Sequence, residues 1–545
     1  MSETALERIR RAYARIAEVD RPEVWITLRP REEVEAEART IDPGLPLAGT
    51  LFAVKGNIDV AELPTTAGCP SYASVPERDA PAVARLRAAG AIVLGTTNLD
   101  QFATGLVGTR SPYGAVRNAI DPERVSGGSS SGSAVAVALG IADFALGTDT
   151  AGSGRVPAAF NAVVGVKPTY GLVPTEGVVP ACRSLDCVTV FARTLDQARL
   201  ALSFMAGDPI AAPPRRPGPW RVAVPATEDL GELDPGWAEA FEAAARRLVR
   251  AGAQLLPIDI GPFLEAGALL YQGGFVAERY TAVGDFVAAL KERDAPDLDP
   301  TVGAIISVAG EVPAHRLFAD QEVLAALRER AFAELGAADA LLLPTTPGHP
   351  TLAQVAADPV GANTRLGRFT NSTNLFGMSA VALPGGTVAG LPFGVMLVGR
   401  AGADDHLAAI AALLTPPTTV RLAVVGAHLT GQPLNSELTS RGARLVAATS
   451  TASAYRLYAL ATSPPKPGLV RVTEGGAPIE VEVWELPAEG LGTLLADIPR
   501  PLGLGRLELA DGQPVTGFLC APEGLPTATD ITGHGGWRAY LASRR

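Results

Sequence analysis

Serines in two glycine-rich runs, and one lysine upstream of them, carry the chemistry available to this chain. The runs are Ser126-Gly127-Gly128-Ser129-Ser130-Ser131-Gly132-Ser133 and Gly147-Thr148-Asp149-Thr150-Ala151-Gly152-Ser153. The lysine is Lys55, in Ala53-Val54-Lys55-Gly56-Asn57-Ile58-Asp59-Val60. A serine hydroxyl is protonated at neutral pH, so as a nucleophile it needs a base to take its proton. Histidine is the usual base, yet His315, His349, His406, His428 and His534 all lie downstream of both runs. A triad gathered from distant sequence stays open, because triads are spatial. The base at hand is Lys55.

Lysine serves as a base only when neutral. Its ordinary pKa is ~10.4 and a useful base sits at ~7–8, a shift of ~3 units or roughly 4 kcal/mol. Burial supplies such a shift by disfavouring the ammonium. Leu51-Phe52-Ala53-Val54 reads as a short buried strand with Lys55 at its end; a lysine snorkelling to solvent from the strand end fits the same pattern. Gly/Ser runs are often flexible linkers. Here an apolar stretch, Ala134 to Ala142, follows directly and reads as a buried helix. The first run therefore looks like a loop of backbone donors opening that helix, and no Gly-Lys-Ser/Thr follows to make it a phosphate loop. In the second run, the amides of Thr150, Ala151, Gly152 and Ser153 could converge as an oxyanion hole. An ordinary tight turn is the other reading.

Lys55, Ser129 and Ser153 resemble, in type, order and spacing, the Ser–cisSer–Lys triad of the amidase signature family. Ser131 and Ala151 stand where glycine is commoner in that family, and neither removes a catalytic side chain. The resemblance implies that Ser153 is the nucleophile, that Ser129 on a cis peptide relays the proton, and that Lys55 is the base. It also implies an oxyanion hole from Thr150, Ala151 and Gly152, and an α/β/α sandwich around a mixed sheet. The segments Gly147 to Asn161 and Val179 to Cys187 are similar to one branch of the family, the allophanate hydrolases. So is a C-terminal extension running from Val424-Val425-Gly426-Ala427-His428 to Gly535-Gly536-Trp537-Arg538. That extension implies a smaller β-rich α+β domain, γ-glutamylcyclotransferase-like.

The same resemblance implies a small, planar, anionic substrate, allophanate. Its carboxylate calls for a cation, and arginine matches a carboxylate with two parallel donors. Tyr271 and Arg279 lie eight residues apart, so on one helix they would face the same way. Spacing alone favours a surface helix with Arg279 paired to a nearby acid; the resemblance points to substrate binding. Arg155 is expected to brace the nucleophile's loop. The resemblance further assigns the C-terminal domain to decarboxylation of the product, with His428 as a cation or proton donor beside the departing carboxylate; a structural histidine, or a domain kept for assembly, also fits.

The elements that must position these residues come next. Short apolar strands such as Ala91-Ile92-Val93-Leu94 follow helical patterns such as Ala80 to Ala89, an alternation that predicts an α/β domain over 1–415. Ala340-Leu341-Leu342-Leu343 reads as a further buried strand near the site, and the Pro-rich stretch from Ala211 to Trp220 as a surface loop. The proline-rich 416–419 reads as a linker. From 420 to 545, alternating runs such as Ile479 to Leu486 read as strands with one wet face. The chain has 545 residues, 47% of them hydrophobic, enough for two cores. A net charge of −11 argues against nucleic acid or an anionic membrane as partner. No 20-residue apolar segment predicts a membrane span. Leu6, Ile9, Tyr13 and Ile16 mark one face of an N-terminal amphipathic helix without a signal core.

Cys69, Cys182, Cys187 and Cys520 show no metal-ligand spacing, so reduced thiols, no metal and no cofactor are expected, in a cytoplasmic homodimer. Three other activities remain in view: hydrolysis of longer amides, an amidotransferase component that feeds glutaminyl-tRNA synthesis, and a catalytically idle scaffold.

Overall fold

The structure, a computed structural model, describes residues 4–207, 218–415, 419–462 and 466–544. Two compact units divide the chain, residues 1–415 and 416–545. Pro416, Pro417 and Thr418 of the expected linker, and residues 211–217 of the expected Pro-rich surface loop, lie outside the described residues.

Eleven strands form one mixed sheet in the first unit. In chain order they are β1 (Trp25–Leu28), β2 (Leu51–Lys55), β3 (Ile92–Thr97), β4 (Phe144–Asp149), β5 (Val164–Lys167), β6 (Cys187–Ala192), β7 (Arg221–Val224), β8 (Gln254–Pro257), β9 (Ala340–Pro344), β10 (Ser379–Val388) and β11 (Leu391–Gly399). Their order across the sheet is β1-β3-β2-β4-β6-β5-β10-β11-β9-β7-β8. Every residue of β2, β3, β4, β6 and β9 is buried, as the apolar runs that make up most of each strand require of strands covered on both faces.

The arrangement of β2 and β4 matters most. They pair in parallel, with Phe52 opposite Phe144 and Val54 opposite Leu146. Their C-terminal ends therefore lie side by side, where parallel strands of open α/β sheets build ligand crevices. Lys55 ends β2, and Thr148 and Asp149 end β4. The buried helix expected from Ala134 onward begins earlier, at Ser131, and runs to Ala138. Its sequence, Ser131-Gly132-Ser133-Ala134-Val135-Ala136-Val137-Ala138, is buried through Val137, so the Gly/Ser run is the entry to a core helix rather than a tether.

The second unit has its own core, which includes Leu422, Val424, Leu457, Val481, Leu486, Phe518 and Trp537. Its strands are β12 (Thr419–Val424), β13 (Arg444–Ser450), β14 (Tyr455–Leu460), β15 (Lys466–Arg471), β16 (Glu480–Pro487), β17 (Leu502–Glu508), β18 (Pro514–Cys520) and β19 (Thr529–Asp530). They form a five-stranded sheet, β13-β16-β12-β18-β17, and a three-stranded sheet, β15-β14-β19. The wet face expected along β16 is covered in part. Glu482 is only 4% exposed, because Arg538, from the last helix (Trp537–Ala542), donates to it at 2.7 Å while Thr430 and Trp484 bond its other oxygen. Among the described residues no helix is long and apolar enough to cross a membrane.

Candidate active site

Lys55 is fully buried. Its Nζ lies 2.8 Å from Ser129 Oγ and 2.7 Å from Thr148 Oγ1. Burial pushes the amine down to about 7, against the charges of Asp100, Asp186 and Asp149 and with help from Arg279. No carboxylate of the described residues forms an ion pair with it, so the strand end is closed rather than open to solvent, and the snorkelling alternative is excluded.

Ser129 follows a cis Gly128–Ser129 peptide bond. The loop around it is held by Asp100, a buried carboxyl that accepts the amides of Val107, Gly108 and Arg110 at 3.0–3.2 Å. The Asp100 amide in turn donates to Ser129 O at 3.1 Å. A Cβ on Gly128 would collide with the Asp100 carboxylate, so the close approach of loop to carboxylate requires glycine there. Desolvation raises the pKa of Asp100 although Arg110 and the three amides oppose it.

Ser153 sits in the turn that leaves β4. It is buried, and among the described residues no hydrogen bond engages its hydroxyl. The turn is built on Asp149. That carboxylate accepts the amides of Gly152 and Gly154, at 2.9 and 3.0 Å, and Nε and Nη2 of Arg155, both at 2.9 Å. The pair is fully buried. Burial works against the charged form of Asp149, but Arg155 and its hydrogen bonds outweigh it and hold the carboxyl below the usual range. Arg155 also reaches Thr370 O, Thr373 Oγ1 and Asn374 Oδ1 at 2.7–3.0 Å, and Asn374 Nδ2 donates to Asp149 O at 2.9 Å. Arg155 thus occupies the bracing position expected of it. Gly152 takes φ +134, and a Cβ there would strike Thr370.

The three-residue oxyanion hole needs correction. The Gly152 amide is spent on Asp149, so it is not available to a substrate oxygen. Thr150, Ala151 and Ser153 keep amides with no acceptor among the described residues. Thr150 Oγ1 donates to Asp186 Oδ1, which also accepts from Cys182 N; Asp186 Oδ2 accepts from Ala181 N. Burial pushes Asp186 up to about 6.

Tyr271 and Arg279 do meet, but not along one helix. Tyr271 lies at the end of the helix Gly261–Gln272, Gly273 breaks the chain, and Arg279 lies in the next helix, Ala277–Glu292. Arg279 Nη2 donates to Tyr271 Oη at 2.9 Å, and its Nη1 to Thr104 Oγ1 at 2.9 Å. Arg279 is 2% exposed. No acid forms an ion pair with it among the described residues, and the neighbouring Glu278 is bonded to Ser184 instead. The alternative of a surface arginine paired to an acid is therefore excluded. Tyr271 packs on the cluster of Ala151, Cys182, Leu185, Leu270 and Leu375, which ties it to the nucleophile's turn.

Thr148, Asp100, Asp186 and Asn374 carry functional contacts that sequence reasoning does not single out. Of these, Thr148 has a local signal, its place two residues before Thr150 within the second glycine-rich run.

His428 belongs to the second unit. Its ring stacks on Phe518, centroids 5.2 Å apart and 17° between planes, and its Nε2 lies 3.1 Å from Glu437 Oε2. A small pocket opens beside it, walled by Val425, Leu434, Leu494, Ile498 and Phe518. Burial lowers the pKa of His428 and outweighs the opposing pull of Glu437; Lys466 and Arg441 lower it further. Burial thus favours the neutral ring. A neutral ring bonded to a carboxylate carries its proton on Nε2, which leaves Nδ1 an acceptor.

Known proteins share both units. The Amidase family profile matches residues 7–408, and that of the Allophanate hydrolase C-terminal domain matches residues 420–542. The urea amidolyase of Saccharomyces cerevisiae is 40% identical over 96% of this chain, which spans 31% of that protein's length. A solved structure of Kluyveromyces lactis allophanate hydrolase is 38% identical, with a TM-score of 0.69, covering 100% of this chain and 98% of that one. The 2-amino-5-chloromuconic acid deaminase of Comamonas testosteroni is 37% identical over 71% of this chain and 86% of its own length.

Proposed function

The chain belongs to the amidase family and carries an allophanate hydrolase C-terminal domain, and on that premise we propose that it hydrolyses the amide of allophanate through Ser153, Ser129 and Lys55. The observation that carries the substrate assignment is Arg279. A guanidinium buried without a counter-ion is costly; a carboxylate brought by the substrate supplies the missing charge. Tyr271 holds the guanidinium's other edge and packs toward the turn that bears Ser153.

The chemistry follows from the geometry. Neutral Lys55 donates to Thr148 and keeps its lone pair for the Ser129 hydroxyl. As Ser153 Oγ attacks the amide carbonyl, its proton passes to Ser129 and that of Ser129 to Lys55. The amides of Thr150 and Ala151 receive the oxygen that becomes negative. The proton returns along the same path to the leaving nitrogen, the C–N bond breaks and ammonia departs. Water, activated by the same base, then cleaves the Ser153 ester. The product is a nitrogen bearing two carboxylates. In the second unit one of its C–N bonds breaks, the electron pair goes to nitrogen, which takes a proton, and carbon dioxide leaves. His428, its Nε2 held by Glu437, is the group assigned to pass that proton, which its Nδ1 first takes from solvent.

A homodimeric cytoplasmic enzyme, drawing its substrate from urea or cyanuric acid breakdown, completes the proposal. The four cysteines are all buried and unpaired, which fits a reducing compartment.

The test is ammonia release from freshly prepared allophanate beside urea, biuret and malonamate. Allophanate is expected to be the fastest substrate; release from the neutral amides but not from allophanate would discard it. Arg279→Ala sharpens the result. Losing a charge-assisted contact worth about 1.5–3 kcal/mol should cost kcat/KM for allophanate roughly 10- to 100-fold or more, and cost any residual turnover of neutral biuret far less. Equal losses on both substrates would show that Arg279 holds the fold and not the carboxylate.

A further inference from the structure

The pocket beside His428 holds four charged or titratable side chains: His428, Glu437, Lys466 and Asp497. Three have partners. Glu437 accepts from His428 Nε2 at 3.1 Å, and Asp497 pairs with Arg441 Nη2 at 2.7 Å. Lys466 is left as the one cation in the pocket with no ion pair among the described residues. It opens β15, with its backbone opposite Leu460 of β14. The next residue, Pro467, is pressed so closely against Gly426 that a Cβ there would collide with its ring. Strand and turn are thus locked face to face, and Lys466 lines the same pocket as Gly426, Ala427 and His428. The amides of those three turn residues have no acceptor among the described residues. The turn itself is fixed, since Asn435 Nδ2 donates to His428 O at 2.9 Å and the Thr430 amide to Glu482 at 2.8 Å.

An ammonium without a carboxylate, a row of open amides and apolar walls make a site for a small anion. We propose that Lys466 holds a carboxylate of a short, planar dicarboxylate in this pocket, which the His428 ring also lines. The inference rests on the reading that the second unit receives the doubly carboxylated product. It supplies the cation that His428, neutral and bonded to Glu437, does not. Holding one carboxylate at Lys466 leaves the other toward the apolar wall, where a departing carbon dioxide, itself neutral, is better accommodated than the anion it came from.

Malonate is the stable probe, with a methylene in place of the nitrogen. The experiment uses the full chain with labelled histidine and follows the His428 ring signal, assigned by its loss in His428→Gln. Malonate is expected to shift that signal saturably. Lys466→Gln should weaken the Kd read there roughly ten- to hundredfold, and Lys466→Arg should restore most of it. An unchanged thermal midpoint and circular-dichroism spectrum of the free Lys466→Gln chain report that the fold around the pocket is intact. An unchanged Kd in Lys466→Gln overturns the proposal, as does a wild-type chain whose His428 signal shows no saturable response. Ammonia release from allophanate judges the hydrolase reading separately. A chain that releases ammonia but fails the malonate test sinks Lys466 alone. A chain that binds malonate through Lys466 yet releases no ammonia sinks the hydrolase reading and leaves the anion site standing.

Discussion

Ser153→Ala is expected to leave no ammonia release from allophanate above the uncatalysed rate. The turn after β4 presents one hydroxyl that is not already hydrogen-bonded, that of Ser153. Thr150 Oγ1 is committed to Asp186, and Ser129 to Lys55. No other side chain in the turn can take over the attack. Loss of the nucleophile from a serine hydrolase costs roughly 10⁴- to 10⁶-fold in kcat, which here means the background rate. The same variant should still bind allophanate, since Tyr271 and Arg279 are untouched. Mass spectrometry of acid-quenched protein separates the two effects: wild type should carry the acyl group and Ser153→Ala should not. Wild-type turnover in the variant would remove the Ser–Ser–Lys assignment altogether.

Lys55→Met is expected to be nearly as damaging, and it carries a pH signature that a structural defect would not. The amine works unprotonated, and burial has brought it down to about 7. Wild-type kcat/KM should therefore rise with pH through about 7 and level off above it. Methionine matches the length of the lysine stem but accepts no proton from Ser129. The loss expected for a missing general base is roughly 10²- to 10⁴-fold, and the residual activity should lose the step near pH 7. The linkage has a definite sign. With the folded pKa depressed, the unfolded chain binds the proton more tightly between about 7 and the ordinary lysine value. Stability contributed by this group therefore grows as pH rises through that window. A wild-type profile flat across neutrality would show that Lys55 is not the base.

The parts of the site that were legible in the sequence share one property: their chemistry is encoded locally. Lys55 and the serine runs stand out because glycine and serine cluster where a backbone must approach closely, and because apolar runs beside them announce burial; Ser129 is singled out within its run by the family resemblance alone. The β2, β3 and β9 strands were legible for the same reason, as was β16. What could not be read is what the chain assembles across distance. Asp100 and Asp186 are ordinary aspartates until the fold brings amides and Thr150 to them. Asn374 meets Asp149 across more than half of the first unit. The spacing of Tyr271 and Arg279 foretold a meeting but not its cause, because Gly273 turns one expected helix into two. The Gly152 amide looked available in sequence, and only the Asp149 carboxylate, folded back beneath the turn, shows that it is taken. In the second unit, Glu480 and Glu482 alternating with Ile479, Val481 and Val483 suggested an exposed face, and nothing local announced that Arg538 would cover part of it.

The Asp149–Arg155 pair has a consequence for when activity can arise. Lys55, Ser129 and Ser153 have all been synthesised by residue 153, yet the turn that presents the nucleophile is fastened to Thr370, Thr373 and Asn374. A ribosome-bound chain that stops short of residue 370 holds every reacting group but leaves the Arg155 guanidinium without the acceptors of Thr370, Thr373 and Asn374. On the proposed function, amidase chemistry is therefore expected only once the far end of the first unit has been made and folded against the turn.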